Sequence, residues 1–327
     1  MLDAPNASAP RASRYAFAWA AVVLAALAWL PSMARAAEPD YSGWQALLKR
    51  YVRVVQTKGQ PWDSRFDYAQ LYVDEGIWTK HRADSLALIH TELISVSPGD
   101  MKPHERTAWA INTYNFLVIE RMTVNLLVPR RQFMRFDSPK QVNTDAGLFF
   151  VAPVATIEGR EYSLGGFERR FVYGDTSADP LVDGMLAREK PGDPRIAFAL
   201  CKASYCTGPL VPWAYRADSL DAQLDRAARI ALALPTYLKP DPVAGTLTAT
   251  NMFFEARVDF GGPELPELMP FLLKHAPLAV RRLIVAKKLA RPTMFFEPSW
   301  KLNQWDMPKP KLPNAVSADS SKAGGKH

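Results

Sequence analysis

The stretch PHERTAWAINTYNFLVIERMTVNLLV, residues 103–128, decides how the rest of the chain must be arranged. Pro103 suits the first turn of a helix, and Glu105 places an acid where the helix dipole favours one. The next helix breaker is Pro129, and the middle of the segment is apolar almost all the way round. A helix without a polar face is normally buried on every side. We therefore predict a long, buried helix at the centre of the fold.

Two asparagines, Asn112 and Asn115, interrupt this apolar segment and lie about one helical turn apart, on one face. Burying an amide without partners costs about 1–3 kcal/mol. Each amide must therefore hold neighbouring backbone in place or line a polar cavity, and buried polar groups are generally paired within the protein. Tyr114 lies beside them, where aromatic packing is its default role. All three remain candidate ligand-binding residues.

The N-terminal segment has the three parts of a secretory signal peptide. Basic residues precede the apolar run Tyr15–Leu30, and an Ala-Arg-Ala triplet follows at residues 34–36. We predict a signal peptide over residues 1–36, and hence a periplasmic or secreted protein with no membrane span after cleavage. The apolar run is shorter than the ~20 residues of a spanning helix, and an uncleaved anchor is the alternative.

Composition describes an ordinary globular protein. The 327 residues are 48% apolar and 22% charged, with a formal net charge of +7. Because the charge is spread along the chain, we expect solubility and mild attraction to anionic surfaces, and no nucleic-acid binding. We predict a single globular domain over residues 37–307. Residues 308–327 lack aromatics and are rich in Pro, Ser, Lys and Gly, which predicts a disordered tail.

Apolar periodicity predicts helices on both sides of a short β segment. One apolar stripe predicts a helix from Trp44 to Val55, and another predicts a helix from Ser219 to Leu234. Short runs at Val154–Ile157 and Glu161–Tyr162, separated by Glu-Gly-Arg, predict a hairpin. Helices dominate and the sheet is minor, so the predicted fold class is α+β, a helix-rich single domain with a small sheet.

Five separated segments resemble, in order, motifs of the domain of unknown function 547 family. ERTAWAINTYNFLVIERM resembles its segment E-x-x-A-F-W-I-N-x-Y-N-A-L, and DPRIAFALCKASYCTGPL resembles D-x-R-I-x-F-A-L-x-C-A-S-x-x-C-P-P-L. The segments AYRADSLDAQLDRAARIAL, LTATNMFFEARVDFGG and FFEPSWKLNQ resemble the elements that follow. The resemblance runs from about Lys102 to Asn303. The family has no established biochemical activity, so the resemblance implies a grouping and not a function.

One departure from the family bears on chemistry. The family's I-E-H triplet corresponds to Phe167-Glu168-Arg169, so the acid is kept and the histidine is lost. If that histidine acts as a base in relatives, this chain lacks the base. The cysteine pair keeps its four-residue interval but begins one residue early relative to the flanking residues.

Cys201 and Cys206 are the only cysteines in the chain. In an exported protein two cysteines suggest one disulfide, and four intervening residues can close it in a turn. The alternative is a thiolate nucleophile, which needs a neighbouring cation or histidine to lower its pKa. Lys202 is such a cation, whereas no histidine is close in sequence.

Three further residues are candidate site residues, and two of them have two open interpretations. Glu168 precedes two arginines, which indicates a surface salt bridge or else a site carboxylate near the cysteine segment. Arg195 either clamps an anionic ligand or pairs with Asp193 or a backbone carbonyl. Ser204 lies inside the cysteine loop, where backbone N–H groups could bind a carboxylate or phosphate.

The absence of known motifs narrows the function. The chain has no P-loop, G-x-S-x-G, H-E-x-x-H or G-x-G-x-x-G motif and no zinc-type Cys/His spacing, so we predict no cofactor and no metal. One hypothesis is a periplasmic ligand-binding or accessory domain, with Asn112, Asn115, Glu168 and the cysteine loop facing a small or peptide-like ligand. The alternative is a thiol-dependent hydrolase or transferase, with Cys201 or Cys206 as nucleophile and Glu168 or a distant histidine assisting. Whether the protein is an enzyme stays open.

Overall fold

The computed structural model of the chain describes residues 38–56, 58–59, 61–77, 83–127, 135–183, 190–292, 294–297 and 299–305. The predicted signal peptide and the predicted C-terminal tail lie outside these residues. Within them, no helix combines the length and the apolar character that crossing a bilayer requires.

The described residues form nine α-helices and four small sheets, which confirms the helix-rich α+β class. The helices are α1 (Ser42–Tyr51), α2 (Tyr68–Asp74), α3 (Ser85–Ile94), α4 (Pro103–Val124), α5 (Leu164–Phe167), α6 (Leu220–Leu232), α7 (Met252–Glu255), α8 (Leu268–His275) and α9 (Leu278–Val285). The strands are β1 (Val52–Val55), β2 (Asp63–Phe66), β3 (Asn143–Thr144), β4 (Gly147–Leu148), β5 (Pro153–Ile157), β6 (Arg160–Ser163), β7 (Leu238–Asp241), β8 (Thr246–Thr250) and β9 (Met294–Phe296). A π-helical segment, Glu168–Val172, continues α5, and a 3-10 turn covers Ile196–Phe198.

The central helix α4 is buried, as its apolar sequence predicts. It packs against α2, α3, α5 and the π-helical segment, and every residue from Ala108 to Ile119 is buried. Its start is fixed by Glu105, whose carboxylate accepts the backbone N–H of Lys102 at 2.8 Å. It ends four residues before the predicted limit, where the side chain of Asn125 donates to a helix carbonyl at 2.8 Å.

The sheets are small, and most of them are antiparallel pairs. β1 pairs with β2, β3 with β4, and β5 with β6, whereas β8 lies between antiparallel β7 and parallel β9. The β5–β6 pair is the predicted hairpin. Its two turn residues, Glu158 and Gly159, have φ of 50° and 77°, which is typical of the tight turn that joins twisted strands.

The first helix is shorter than predicted. α1 ends at Tyr51, and Val52–Val55 leaves the helical path to pair with β2. Three valines in four positions favour an extended backbone, and β2 supplies the hydrogen-bonding partner. The prediction of a helix through Val55 is therefore wrong, because Val55, the last residue of the apolar stripe, belongs to the strand.

Two hydrophobic cores meet beside the cysteine loop. The larger core contains the apolar faces of α1 to α4 and of the β5–β6 hairpin, and the smaller core contains α6, α8 and the β7–β8 pair. Phe198 belongs to the smaller core, where its ring stacks on Phe271 at 5.7 Å. The next residues, Ala199, Leu200 and Cys201, belong to the larger core. The segment that leads into the cysteine loop therefore crosses from one core to the other.

Candidate functional site

The start of the cysteine loop is held against α4 by Asn115. The side-chain oxygen of Asn115 accepts the backbone N–H of Cys201 at 2.7 Å, and its nitrogen donates to the carbonyl of Ala199 at 2.9 Å. Asn115 is buried, so these bonds are shielded from water. The amide thus fixes where the chain passes from the 3-10 turn into the loop.

Asn112 supports a different segment from the same face of α4. Its side-chain oxygen accepts the indole N–H of Trp44 at 3.2 Å and the backbone N–H of Tyr215 at 2.9 Å. Its nitrogen donates to the carbonyl of Tyr215 at 2.8 Å. Each polar atom of Asn112 and Asn115 therefore has a protein partner, and the geometry favours support of the backbone over contact with a ligand.

Cys201 and Cys206 are free thiols, and the predicted disulfide is not formed. The sulfur of Cys206 lies 2.8 Å from the hydroxyl of Ser204, whereas the sulfur of Cys201 accepts the backbone N–H of Ala203 at 3.4 Å. Ala203 has a left-handed backbone, with φ of 54°, and this conformation shapes the turn between the cysteines. Because each sulfur has its own hydrogen-bond partner in this loop, the spacing that allows a disulfide does not produce one.

Burial raises the pKa of both thiols. The pKa of Cys206 is raised to about 12 by burial, although the hydroxyl of Ser204 and the ammonium of Lys202 act to lower it. Burial also raises the pKa of Cys201, against the lowering effect of its hydrogen bonds. A buried thiol with a raised pKa is rarely a thiolate at pH 7. The geometry therefore disfavours both cysteines as nucleophiles.

Neither thiol hydrogen-bonds to a histidine in the described ranges. His90 pairs with the carboxylate of Glu120 at 2.7 Å, and His275 packs against the ring of Phe271 at 4.6 Å. His81 lies outside the described residues. Nor does the described part of the chain contain three His, Cys, Asp or Glu side chains grouped to hold a metal ion.

A buried ion pair lies beside the cysteine loop. Glu168, the first residue of the π-helical segment, accepts the phenol O–H of Tyr114 at 3.0 Å, and the same carboxylate oxygen lies 3.3 Å from the ammonium of Lys202. Burial raises the pKa of Tyr114 well above its usual value, and the Glu168 carboxylate adds to that effect. Glu168 is thus a carboxylate at the cysteine loop, and the interpretation as a surface salt bridge is wrong because Tyr114 and Lys202 cover it.

Lys202 forms the partly open side of this cluster. Burial acts to lower the pKa of Lys202, but the charge and hydrogen bond of Glu168 together with Cys206 and Glu255 raise it overall. The side chain keeps 16% of its surface exposed. Burial of its carboxyl group raises the pKa of Glu255, whereas the positive charge of Lys202 acts to lower it. The amide of Asn251 lies 3.5 Å from Glu255 and 3.0 Å from Glu297, so two carboxylates share this rim.

Arg195 belongs to a separate charged cluster. Its guanidinium lies 2.5 Å from Asp193, 2.7 Å from Asp221 and 2.8 Å from Asp225. The three carboxylates raise the pKa of Arg195, led by Asp193, which accepts hydrogen bonds from the guanidinium. A cleft of about 420 Å³ adjoins this cluster and is also lined by His275. Because the guanidinium is already surrounded by carboxylates, the geometry favours pairing over the clamping of an anionic ligand.

Asn303 closes the cysteine loop, a role that sequence reasoning missed. The backbone N–H of Asn303 donates to the carbonyl of Ala203 at 3.3 Å, and its own carbonyl accepts the N–H of Phe66 at 2.9 Å. Its side-chain oxygen accepts the phenol O–H of Tyr68 at 3.1 Å. Leu302 also bridges to Ser204. The closing family-like motif, FFEPSWKLNQ, contains Asn303. The motif alone does not show which loop this residue contacts.

Comparison with known families finds a match for the segment that contains most of the cluster around Glu168 and Lys202. Residues 98–230 match the model of a family described as "Protein of unknown function, DUF547". Tyr114, Glu168 and the cysteine loop lie inside the matched range, whereas Glu255, Glu297 and Asn303 lie outside it. Searches of curated proteins and of solved structures find no match. Over residues 98–230, the chain is therefore similar to the domain of unknown function 547 family.

Proposed function

We propose that this protein is an exported, non-catalytic binding domain that takes a small zwitterionic or peptide-like ligand beside the Glu168–Lys202 ion pair. The observation that carries the proposal is that the buried ammonium of Lys202 has more hydrogen-bond donors than ion-pair partners. Its ammonium is largely buried and has three N–H donors, and in the described residues its ion-pair partner is one oxygen of Glu168, which Tyr114 shares. A buried charge is costly unless its donors are used. The remaining donors are therefore available to an anionic group of a ligand.

The charges around Lys202 indicate the class of ligand. Glu255 and Glu297 give the rim two carboxylates, held near each other by one asparagine. A ligand with both a carboxylate and an ammonium group matches this pattern, with its carboxylate at Lys202 and its ammonium at the rim. A ligand with negative charge alone would meet repulsion from the two rim carboxylates. Amino acids and short peptides have the required pair of groups.

Export is proposed from the signal-type sequence of residues 1–36. Free thiols in an oxidising compartment need an explanation, since disulfides form readily there. Oxidation and exchange proceed through the thiolate, which is rare when the thiol is buried and its pKa is raised. Burial of Cys201 and Cys206 is therefore compatible with an exported protein that keeps its thiols.

The thiol-dependent hydrolase or transferase stays an untested prediction. Such an enzyme needs an accessible thiolate and a base to assist it. The raised pKa of both thiols and the lack of a histidine hydrogen bond to them, among the residues described, argue for the binding domain instead.

The test is isothermal titration calorimetry of the protein with L-alanine, alanyl-alanine and trialanine. We expect at least one of them to bind at millimolar concentration or below. N-acetyl-alanine, which lacks the ammonium group, and alanine amide, which lacks the carboxylate, should both bind at least about tenfold more weakly. If none of the three ligands binds, or if both blocked compounds bind as well as alanine, the proposal is wrong.

Two variants locate the binding to this site. Lys202→Gln should weaken binding at least about tenfold, while Lys49→Gln, a matched change at an exposed lysine on α1, should not. Because Lys202→Gln also leaves Glu168 without its cation, the variant can lose stability. Glu297→Gln removes a rim charge without touching the buried pair, and it should weaken binding of alanine but not of N-acetyl-alanine. If neither Lys202→Gln nor Glu297→Gln changes the affinity, the ligand does not bind beside the Glu168–Lys202 pair.

A further inference from the structure

Almost all of the net charge of the protein comes from one continuous segment. Residues 268–296 contain six Lys or Arg residues and no Asp or Glu. Without these six, the 40 basic residues of the chain fall to 34 against 33 acidic ones, so the rest of the chain is nearly neutral. A net charge of +6 is therefore concentrated in these residues, whereas charges of both signs nearly cancel over the rest of the chain.

This segment folds into the pair of helices α8 and α9, which pack against each other. In α9, Leu278, Arg281, Arg282 and Val285 follow the i, i+3, i+4, i+7 spacing and share one face. Leu278 and Val285 are 52% and 73% exposed, and Arg282 is also exposed. Val280, on another side of the helix, is buried in the smaller core. The helix thus turns Leu278, Val285 and Arg282 outward, and Arg281 is half-buried beside them.

Further side chains extend the same surface. Lys287 and Lys288 follow α9 directly and are exposed, and Leu273 on the neighbouring α8 is 39% exposed. We define the basic–apolar face as Leu278, Arg281, Arg282, Val285, Lys287 and Lys288. In the ranges that the structure describes, none of its four basic residues lies within ion-pair distance of a carboxylate. The face therefore combines unneutralised positive charge with exposed apolar side chains.

We propose that the basic–apolar face binds the protein to the surface of an anionic lipid membrane. Leu278 and Val285 enter the boundary between headgroups and acyl chains, and the arginines and lysines contact lipid phosphates. The eight-residue α9 is far shorter than a spanning helix, so the association is peripheral.

Two other occupants fit the face less well. A second copy of the chain would present the same positive charge and be repelled. Protein interfaces are depleted in lysine at their centre, and this face has two lysines and a segment without any acidic residue around it. Lipid headgroups accept this composition, because lysine and arginine extend to the phosphates while the apolar side chains reach the acyl region.

The test is co-sedimentation of the full-length protein with phosphatidylcholine vesicles, with and without phosphatidylglycerol. We expect binding to the anionic vesicles that weakens as salt is added, and little binding to pure phosphatidylcholine. The triple variant Arg282→Glu, Lys287→Glu, Lys288→Glu should reduce partitioning at least about 100-fold, because each basic residue near the surface contributes roughly fivefold. No binding of the parent protein to anionic vesicles would overturn the proposal.

A matched control distinguishes binding by the basic–apolar face from attraction by the net charge of the whole protein. The triple variant Lys49→Glu, Lys58→Glu, Lys190→Glu changes three exposed lysines elsewhere by the same charge and should bind like the parent. Equal loss in both triple variants would mean attraction by net charge alone and would overturn the assignment of the face. Leu278→Ser with Val285→Ser keeps every charge and should weaken binding in moderate salt.

Two further outcomes would also overturn the proposal. If free inorganic phosphate releases the protein from the vesicles far more than sodium chloride does at the same ionic strength, the face binds soluble phosphate and not a membrane surface. If size-exclusion chromatography shows a dimer that the face variant loses, the partner is a second copy of the chain.

Discussion

Replacing Asn112 by leucine removes all of its polar atoms while keeping a side chain of similar size. Three groups then lose a hydrogen-bond partner: the indole N–H of Trp44 and the backbone N–H and carbonyl of Tyr215. Asn112, Trp44 and Tyr215 are all buried, so water does not replace the missing amide.

The expected cost follows from the number of unpaired groups. Each buried polar group left without a partner costs about 1–3 kcal/mol, so three of them cost about 3–9 kcal/mol. Relaxation of the segment around Tyr215 favours the lower end, about 3 kcal/mol. Since whole proteins are stable by only about 5–15 kcal/mol, this single change removes a large part of the stability.

Urea unfolding followed by circular dichroism measures this loss. With an m value of about 3 kcal/mol per molar, a cost of about 3 kcal/mol lowers the midpoint by about 1 M and leaves m unchanged. The control is Asn125→Leu at the end of the same helix, where a half-buried amide makes one bond to the carbonyl of Arg121. Water can replace that bond, so we expect a loss below about 1 kcal/mol. Equal losses in the two variants, or an unchanged midpoint for Asn112→Leu, would refute the supporting role of the buried amide.

Two further predictions concern a titrating pair and a close approach of backbone. The hydrogen bond to Glu120 raises the pKa of His90 above 6.5, so its contribution to stability is fully present below pH 6.5 and is lost as the pH rises through the folded pKa. Glu120→Gln should therefore flatten the decline of the unfolding free energy just above pH 6.5 in urea titrations, and an unchanged decline would contradict the pairing. At Gly208 an added Cβ would lie 2.0 Å from the carbonyl oxygen of Phe198, so Gly208→Ala should lower the melting temperature by several degrees, at a cost of about 1–3 kcal/mol. Gly99→Ala, with no atom within 4 Å of the added Cβ, is the control, and equal melting temperatures would show that the two segments are not in close contact.

The parts of the fold that sequence predicts well are determined by neighbouring residues. The start of α4 follows from Pro103 and Glu105, whereas its end at Val124 lies four residues before the limit that the next proline predicts. The β5–β6 hairpin follows from two short β-branched runs and the Glu158-Gly159 turn between them. In both elements, the residues that decide the conformation lie inside or next to the element, so their pattern is visible in the sequence.

The candidate site depends on residues that are distant in sequence. A glutamate followed by two arginines has the local pattern of a surface ion pair. Glu168 is buried because Tyr114, 54 residues earlier, and Lys202, 34 residues later, both reach the same carboxylate oxygen. No local pattern shows these contacts. Only the resemblance to family motifs linked the segments that contain Tyr114, Glu168 and Lys202.

The disulfide prediction failed for a related reason. Two cysteines separated by four residues, in a chain with a predicted signal peptide, satisfy every rule that can be read from composition and spacing. Whether the sulfurs meet depends on the backbone between them, where Ala203 has a positive φ and Ser204 takes the sulfur of Cys206 as its partner. That backbone is fixed in turn by Asn115 and Asn303, which contact the loop from segments far apart in the sequence.

The state of the two thiols tests the proposal of a non-catalytic domain most directly. The protein is treated with iodoacetamide at pH 7 without reductant, once native and once in urea, and its intact mass is then measured. We predict no adduct on the native protein, because both thiols are buried with a raised pKa, and two adducts on the unfolded protein. Rapid addition of one adduct to the native protein would reveal a reactive thiolate and contradict a non-catalytic domain. No addition in urea would reveal a disulfide and contradict the free, buried thiols on which the proposal depends.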